Sequence, residues 1–323
     1  MEKTLVSASD IQVLAVAKLS PFLIEPLKAA YAVHERLHET DPQAFAAAAP
    51  SIRAIAASGE SKVDAALIAK LPALEIISVM GVGYDGIDVA AAKARGVVVT
   101  HTPGVLNDDV ADLALALMLA VSRTLPQADK YVRDGRWESS GPMPLARKMS
   151  GARVGLVGMG RIGQAIAQRA LAFRMEVAYT ARSEKSELPY KFFATPQALA
   201  AECDFLVIIT PGGAGTRKLI DASVFKALGP QGSVINVARG SVIDEAAMID
   251  ALEQGVIGGA GLDVFEDEPR VPARLKALTN VVLTPHVGSA TAQTRRAMAD
   301  LAFANLHAKM TGKPLLTPVP ECR

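Results

Sequence analysis

Short apolar runs rich in β-branched residues alternate with alanine-rich stretches of helical period along most of this chain. In the first third, residues 11–17, 52–57, 74–80 and 97–100 read as strands with helical patterns between them, the rhythm of a parallel α/β sheet. The alternation breaks at the turn Thr102-Pro103-Gly104, beyond which Asp108 and Asp109 are good N-cap types for a long helix over 110–123. It then resumes, with strands expected at 153–157, 176–180, 204–209, 233–237, 261–264 and 280–283. A helical pattern over 291–310 and a Pro-rich tail close the chain. These breaks predict residues 1–101 as the first segment of one domain, 102–285 as a second domain, and 286–323 as a segment returning to the first. Two crossings between domains suit a hinge over a cleft.

Two stretches depart from the ordinary amphipathic pattern. Residues 110–121 are apolar nearly all round, as in a helix buried in a core or in a subunit interface. Residues 123–150 hold the one tryptophan, Trp137, among several prolines and glycines, and read as an extended arm.

The second domain opens with Arg153-Val-Gly-Leu-Val-Gly-Met-Gly-Arg-Ile-Gly163. A buried strand ending at Val157 leads into Gly158, Gly160 and Gly163, spaced for a tight turn, a bare backbone under a pyrophosphate and a close helix-to-strand approach. The helix that follows turns free N–H groups and a partial positive charge toward the phosphates. The spacing alone is weak, because Gly81, Gly83 and Gly86 repeat it after the run 74–80. The residues between the glycines decide: Asp85 puts a carboxylate where a pyrophosphate needs positive charge, whereas Arg161 supplies it. The later copy is therefore the dinucleotide loop, and the fold class is α/β, two Rossmann/flavodoxin-like domains with parallel sheets and a cleft between them.

Cofactor choice is read just past the next strand. An NAD site usually ends that strand with an acid on the ribose 2′-OH, but the sequence here is Tyr179-Thr-Ala-Arg182-Ser183-Glu184-Lys185. Arg182, Ser183 and Lys185 suit a 2′-phosphate, so NADP(H) is expected, with NAD(H) second. A plainer role for Arg182 is stacking on the adenine of an NAD site.

Charge and cysteine narrow the rest. Net charge is +1, from 34 basic and 33 acidic residues, which gives no case for nucleic acid or a membrane surface and points to a small-molecule partner. Cys203 and Cys322 are the only cysteines, too few for a disulfide framework or a metal cluster; no metal is expected, and reduced thiols suit a cytoplasmic protein. Residues 1–5 lack the features of an export signal, and the apolar run 113–121 is too short to span a bilayer.

Hydride transfer to a carbonyl needs a cation for an anionic substrate and a proton donor. Arg239 in Asn236-Val-Ala-Arg-Gly240, Glu268 in Phe265-Glu-Asp-Glu-Pro269 and His286 in Thr284-Pro-His-Val-Gly-Ser289 each follow a strand end, where open α/β sheets bind ligands. Singly they have plainer readings: a surface ion pair, a solvated acidic turn, a satisfied loop histidine. Together, in this order and spacing, with Gly-Leu-Asp263-Val-Phe before Glu268, they resemble the D-isomer-specific 2-hydroxyacid dehydrogenases over nearly the whole chain. Pro103-Gly-Val-Leu-Asn-Asp-Asp-Val-Ala-Asp112, Gly259-Ala-Gly-Leu-Asp263 and Gly312-Lys-Pro-Leu-Leu-Thr317 are similar to the glyoxylate/hydroxypyruvate reductases and plant-type hydroxyphenylpyruvate reductases, which typically prefer NADPH.

The resemblance implies a homodimeric 2-oxoacid reductase. In it Arg239 pairs with the substrate's carboxylate and keto oxygen, Glu268 keeps His286 protonated, and His286 gives a proton to the carbonyl oxygen. Val82 and Gly83 offer backbone N–H groups to the substrate carboxylate. The cofactor is lined by Gly158, Gly160, Arg161, Ile162, Gly163, Arg182, Ser183, Lys185, Thr210, Pro211, Thr216, Val237, Asp263 and Gly288, with Asp263 close to the nicotinamide. One departure is Pro211-Gly-Gly-Ala-Gly-Thr216, where many relatives carry a Leu-Thr-Pro-type segment. The rival functions are a dinucleotide-sensing interaction protein on the same scaffold, like the C-terminal-binding co-repressors, and an NAD-dependent 2-hydroxyacid oxidation.

Overall fold

The computed structural model describes residues 10–323; residues 1–5, where no export signal was expected, lie outside the described residues. The chain forms two compact units, one running through Leu106 and completed by Thr291–Arg323, the other Asn107–Ala290. The boundaries drawn after 101 and 285 thus fall after 106 and 290, because each break coincides with the start of a helix rather than with the turn before it: Asn107 begins one, and Thr291 caps another.

The first unit holds a parallel sheet of β1 (Gln12–Ala15), β2 (Ala32–Glu35), β3 (Ile52–Ser58), β4 (Ile76–Met80) and β5 (Val98–Thr100), in the order β2-β1-β3-β4-β5. That is the flavodoxin-like order. β4 is buried along its whole length, so it reads as a continuous apolar run. β2 escapes sequence reading because Ala-Val-His-Glu sits half-exposed at the sheet edge and needs no apolar run. The helix Ala292–Met310 packs on β4 and on the helix Pro21–Ala30. Beyond it, the tail covers the open edge of β5: His101 N–H donates to Thr317 O at 3.2 Å, and Val319 N–H to Val99 O at 3.0 Å.

The second unit has seven parallel strands, not the six expected: β6 (Arg153–Val157), β7 (Glu176–Thr180), β8 (Lys191–Phe192), β9 (Phe205–Ile208), β10 (Ser233–Asn236), β11 (Gly259–Leu262) and β12 (Val281–Leu283). The addition is β8, two residues at an edge, too short to show any period. The order β12-β11-β10-β9-β6-β7-β8 is the dinucleotide-binding arrangement extended by one strand, with its reversal point between β6 and β9.

The apolar helix, Asn107–Ser122, is core. It buries Val110, Ala111, Ala114, Leu115, Leu117 and Met118, and packs on the helix Arg161–Ala172 and on β10 and β11. Asp108 and Asp109 lie in its first turn rather than at the cap; Asp108 and Asp112 hold Arg169 of the neighbouring helix at 2.9 and 2.5 Å. The arm forms two short helices, Leu125–Arg133 and Arg136–Ser140. On it Val132, Trp137 and Leu145 are 57%, 62% and 102% exposed. No helix among the described residues is long and apolar enough to cross a membrane.

Candidate active site

The glycine loop of the second unit is built by close backbone approach. Gly158 has φ +111°, a conformation costly for any side chain; its N–H donates to Thr180 O at the end of β7, and a Cβ on it would lie 2.7 Å from Ile209 O. A Cβ on Gly163 would run into the carbonyl oxygen of Gly158. Gly160 differs, because nothing among the described residues lies within 4 Å of where its Cβ would be.

The helix Arg161–Ala172 starts at this open point with no side-chain cap. Elsewhere Asp64, Asp88, Asp244 and Thr291 close their helices with their own oxygens. The first-turn N–H groups, those of Arg161, Ile162 and Gly163 among them, therefore lack the side-chain acceptor that those four helices carry. A pyrophosphate fits this cradle: space over Gly160, bare donors, and the positive end of a helix dipole.

Neighbouring strand ends complete the rim. Thr180 holds Gly158, so Arg182 and Ser183 stand in an exposed bend two residues past the loop's own anchor. On the other side, Thr210 and Pro211 follow β9, and Thr216 turns its hydroxyl back to Pro211 O at 2.7 Å, closing 211–216 into a tight loop. Val237, just past β10, donates its N–H to Ile208 O at 3.3 Å.

Arg239, Glu268 and His286 follow β10, β11 and β12, three adjacent strands. His286 Nδ1 lies 2.7 Å from Glu268 Oε2, and Glu268 Oε1 accepts the N–H of Phe265 at 2.9 Å. Burial pushes the Glu268 carboxyl up, but the hydrogen bonds from His286 and Phe265 and the positive charge of His286 and Arg239 outweigh it, so its pKa lies below the ordinary carboxylate value. Through Nδ1 the carboxylate fixes the orientation of the imidazole ring.

Two residues that sequence reading gave no such part hold these loops in shape. Asn236 is buried; its Oδ1 accepts from Ala238 N–H and its Nδ2 donates to Arg239 O, both at 3.0 Å. Asp263 is 1% exposed, and its carboxylate accepts from Thr284 Oγ1 at 2.6 Å and from the N–H groups of Val287 and Gly288, each at 2.8 Å. Its own carbonyl takes His286 N–H at 2.9 Å. The Asp263 carboxylate thus spends its oxygens on the loop that carries His286. Gly240 lets the Arg239 loop rest on the 265–266 backbone, since any Cβ would collide with Phe265's carbonyl. The signal for Asn236 and Asp263 was present as polar residues at the ends of apolar strands.

In the first unit, Val82 and Gly83 lie in the loop after β4. His101 Nδ1 is 3.1 Å from Val82 O, and the Tyr84 ring stands edge-on to His101 at 5.3 Å. Tyr84 Oη donates to Glu321 at 3.2 Å. Burial, and then the Glu321 carboxylate, push the Tyr84 hydroxyl up to about 12, so it stays a donor at neutral pH. His101, Tyr84 and Glu321 carry no motif that singles them out in sequence.

Residues 115–288 match the family model for the D-isomer specific 2-hydroxyacid dehydrogenase NAD-binding domain. The chain is 46% identical over 310 residues to hydroxyphenylpyruvate reductase of Plectranthus scutellarioides, covering 96% of this chain and 99% of that one. It is 50% identical over 269 residues to a glyoxylate/hydroxypyruvate reductase A of Arabidopsis thaliana, covering 83% and 86%. The crystal structure of an NADPH-dependent glyoxylate/hydroxypyruvate reductase from Sinorhizobium meliloti, in complex with NADP and malonate, matches with a TM-score of 0.90 and 44% identity over 97% of each chain.

Proposed function

The chain belongs to the D-isomer specific 2-hydroxyacid dehydrogenases, and we propose that it reduces small 2-oxoacids, glyoxylate and hydroxypyruvate among them, to the 2-hydroxyacids with NADPH. The observation that carries this reading is the Glu268–His286 contact at 2.7 Å, on strand ends next to Arg239 and in the same sheet as the glycine loop.

A bound reduced nicotinamide supplies the hydride that adds to the carbonyl carbon. Arg239 holds the substrate's carboxylate and keto oxygen by charge-assisted hydrogen bonds. As the C=O bond opens, its oxygen takes the proton of His286 Nε2, leaving a neutral imidazole that regains a proton from solvent. Glu268, ionised, favours the protonated imidazole and fixes its orientation through Nδ1. In the first unit, Val82 and Gly83 offer N–H groups to the substrate carboxylate. The preference for NADPH rests on Arg182, Ser183 and Lys185 where an NAD site carries an acid, and the Sinorhizobium relative holding NADP supports it. The exposed apolar side chains of the arm, Val132, Trp137 and Leu145, support a homodimer formed through the second unit.

The test is NADPH oxidation across a panel of 2-oxoacids, repeated with NADH. His286→Ala is expected to lower turnover by about 10²–10⁴-fold while NADPH still binds. Glu268→Gln removes the negative neighbour, so the imidazole loses its proton at lower pH and the alkaline fall in reductase activity moves to lower pH. An unchanged pH profile in the Gln variant, or equal use of NADH by the wild type, sinks the corresponding part of the reading.

A further inference from the structure

Tyr179 closes a ring around the cofactor-discriminating bend without reaching it. Its side chain is fully buried in the second unit, packed on Phe192 with ring centroids 5.4 Å apart. The hydroxyl accepts the backbone N–H of Lys185 at 2.7 Å and lies 3.4 Å from the carbonyl oxygen of the same residue. A buried tyrosine hydroxyl needs a partner, and this one takes its partners from a single residue six positions on. The Lys185 carbonyl also accepts Leu188 N–H at 3.0 Å, so the turn beyond the tether is fixed too. The near end is pinned as well: Tyr179 pairs with Leu156 of β6, and Thr180 O takes Gly158 N–H. Between the two anchors stand Arg182 and Ser183, both exposed.

An exposed arginine on a free loop loses backbone and side-chain freedom when it binds an anion, and that loss subtracts from affinity. A loop already closed at both ends loses only the side-chain part. We propose that Tyr179 is a positioning residue for the 2′-phosphate of NADP(H). It acts through the Lys185 backbone, holding the 181–185 bend where Arg182 and Ser183 meet the phosphate. The proposal rests on the NADPH reading above and adds a residue that touches no ligand.

Tyr179→Phe keeps the ring against Phe192 and removes only the tether. The variant, Arg182→Ala and the double variant are titrated calorimetrically with 2′,5′-ADP and with 5′-ADP, at a temperature where all are native by thermal melt, and KM is measured for NADPH and NADH. Loss of one hydrogen bond predicts that Tyr179→Phe weakens 2′,5′-ADP and raises the NADPH KM by about three- to tenfold, leaving 5′-ADP binding, the NADH KM and kcat unchanged. In the Arg182→Ala background the same change is expected to add a smaller loss than in the wild type, because one of the two side chains that the tether positions is gone. Equal weakening of both nucleotides would make Tyr179 a packing residue and overturn the proposal, as would no weakening at all. If wild-type protein binds the two nucleotides alike, the NADPH reading falls and takes this proposal with it. If the wild type prefers the 2′-phosphate and the Phe variant keeps that preference in full, only the proposal falls.

Discussion

Segments 81–86 and 158–163 carry glycine at the same spacing, each after a buried parallel strand, yet only the second runs straight into a helix. After the first loop, the helix Val89–Ala94 begins later and is closed by Asp88, whose carboxylate accepts Ala91 N–H at 2.8 Å. After the second, the helix is left bare at Gly160 and carries Arg161 in its first turn. The two loops are also held differently. Backbone pressed on backbone shapes both, Gly163 on Gly158 and Gly86 on Ser61, but 81–86 is braced by side chains as well, His101 on Val82 and Tyr84 on Glu321. Glycine spacing thus encodes a compact turn, and the residues that follow it encode the ligand.

The comparison is tested hardest where glycine is tightest. Gly163→Ala drives a Cβ into the Gly158 carbonyl, and Gly86→Ala drives one into the carbonyl of Ser61. Each is expected to destabilise its unit by about 1–3 kcal/mol. The first should abolish measurable NADPH binding, and the second should raise the KM for the 2-oxoacid while NADPH affinity holds. Fluorescence titration of NADPH on both variants checks this, and loss of NADPH binding in Gly86→Ala would break the division of labour. Gly160→Ala is a milder change, since its Cβ enters open space. It should leave the melting temperature unchanged and weaken NADPH about tenfold or more by occupying room that the pyrophosphate needs. A lowered melting temperature with intact binding would show that the cradle is not there. The smallest effect is expected from Tyr84→Phe, which removes one half-exposed hydrogen bond to Glu321. Steady-state kinetics should give a rise of about two- to fivefold in the 2-oxoacid KM with NADPH affinity unchanged.

What was legible in the sequence follows from the same physics. The strands buried on both faces announced themselves as apolar runs, and the catalytic candidates stood at their ends in spaced motifs. The edge strands β2 and β8 were silent because half-exposed pairing requires neither hydrophobicity nor length. Asp108 and Asp109 read correctly as marking a helix start, but they lie within its first turn, where Asp108 binds Arg169 of the neighbouring helix. Asp263 was visible as a motif residue, yet that its oxygens hold Thr284, Val287 and Gly288 is a fact of folding across strands, which spacing does not carry. Asn236, His101 and Tyr179 act on backbone groups beyond their own strands, and nothing in a linear pattern marks such reach.

The way the chain enters and leaves its two units sets an order of birth on the ribosome. The Asn107–Ala290 unit is one continuous stretch, so every strand of its sheet is available once Ala290 has been made. The first unit begins earlier and finishes later: β4 waits for the helix Ala292–Met310 to cover it, and the edge of β5 waits for Val319. During synthesis, the apolar face of β4 is therefore without its covering helix for the whole time that the other unit is emerging and folding. A released chain truncated after Ala290 should hold a protease-resistant second unit and a still cleavable first one.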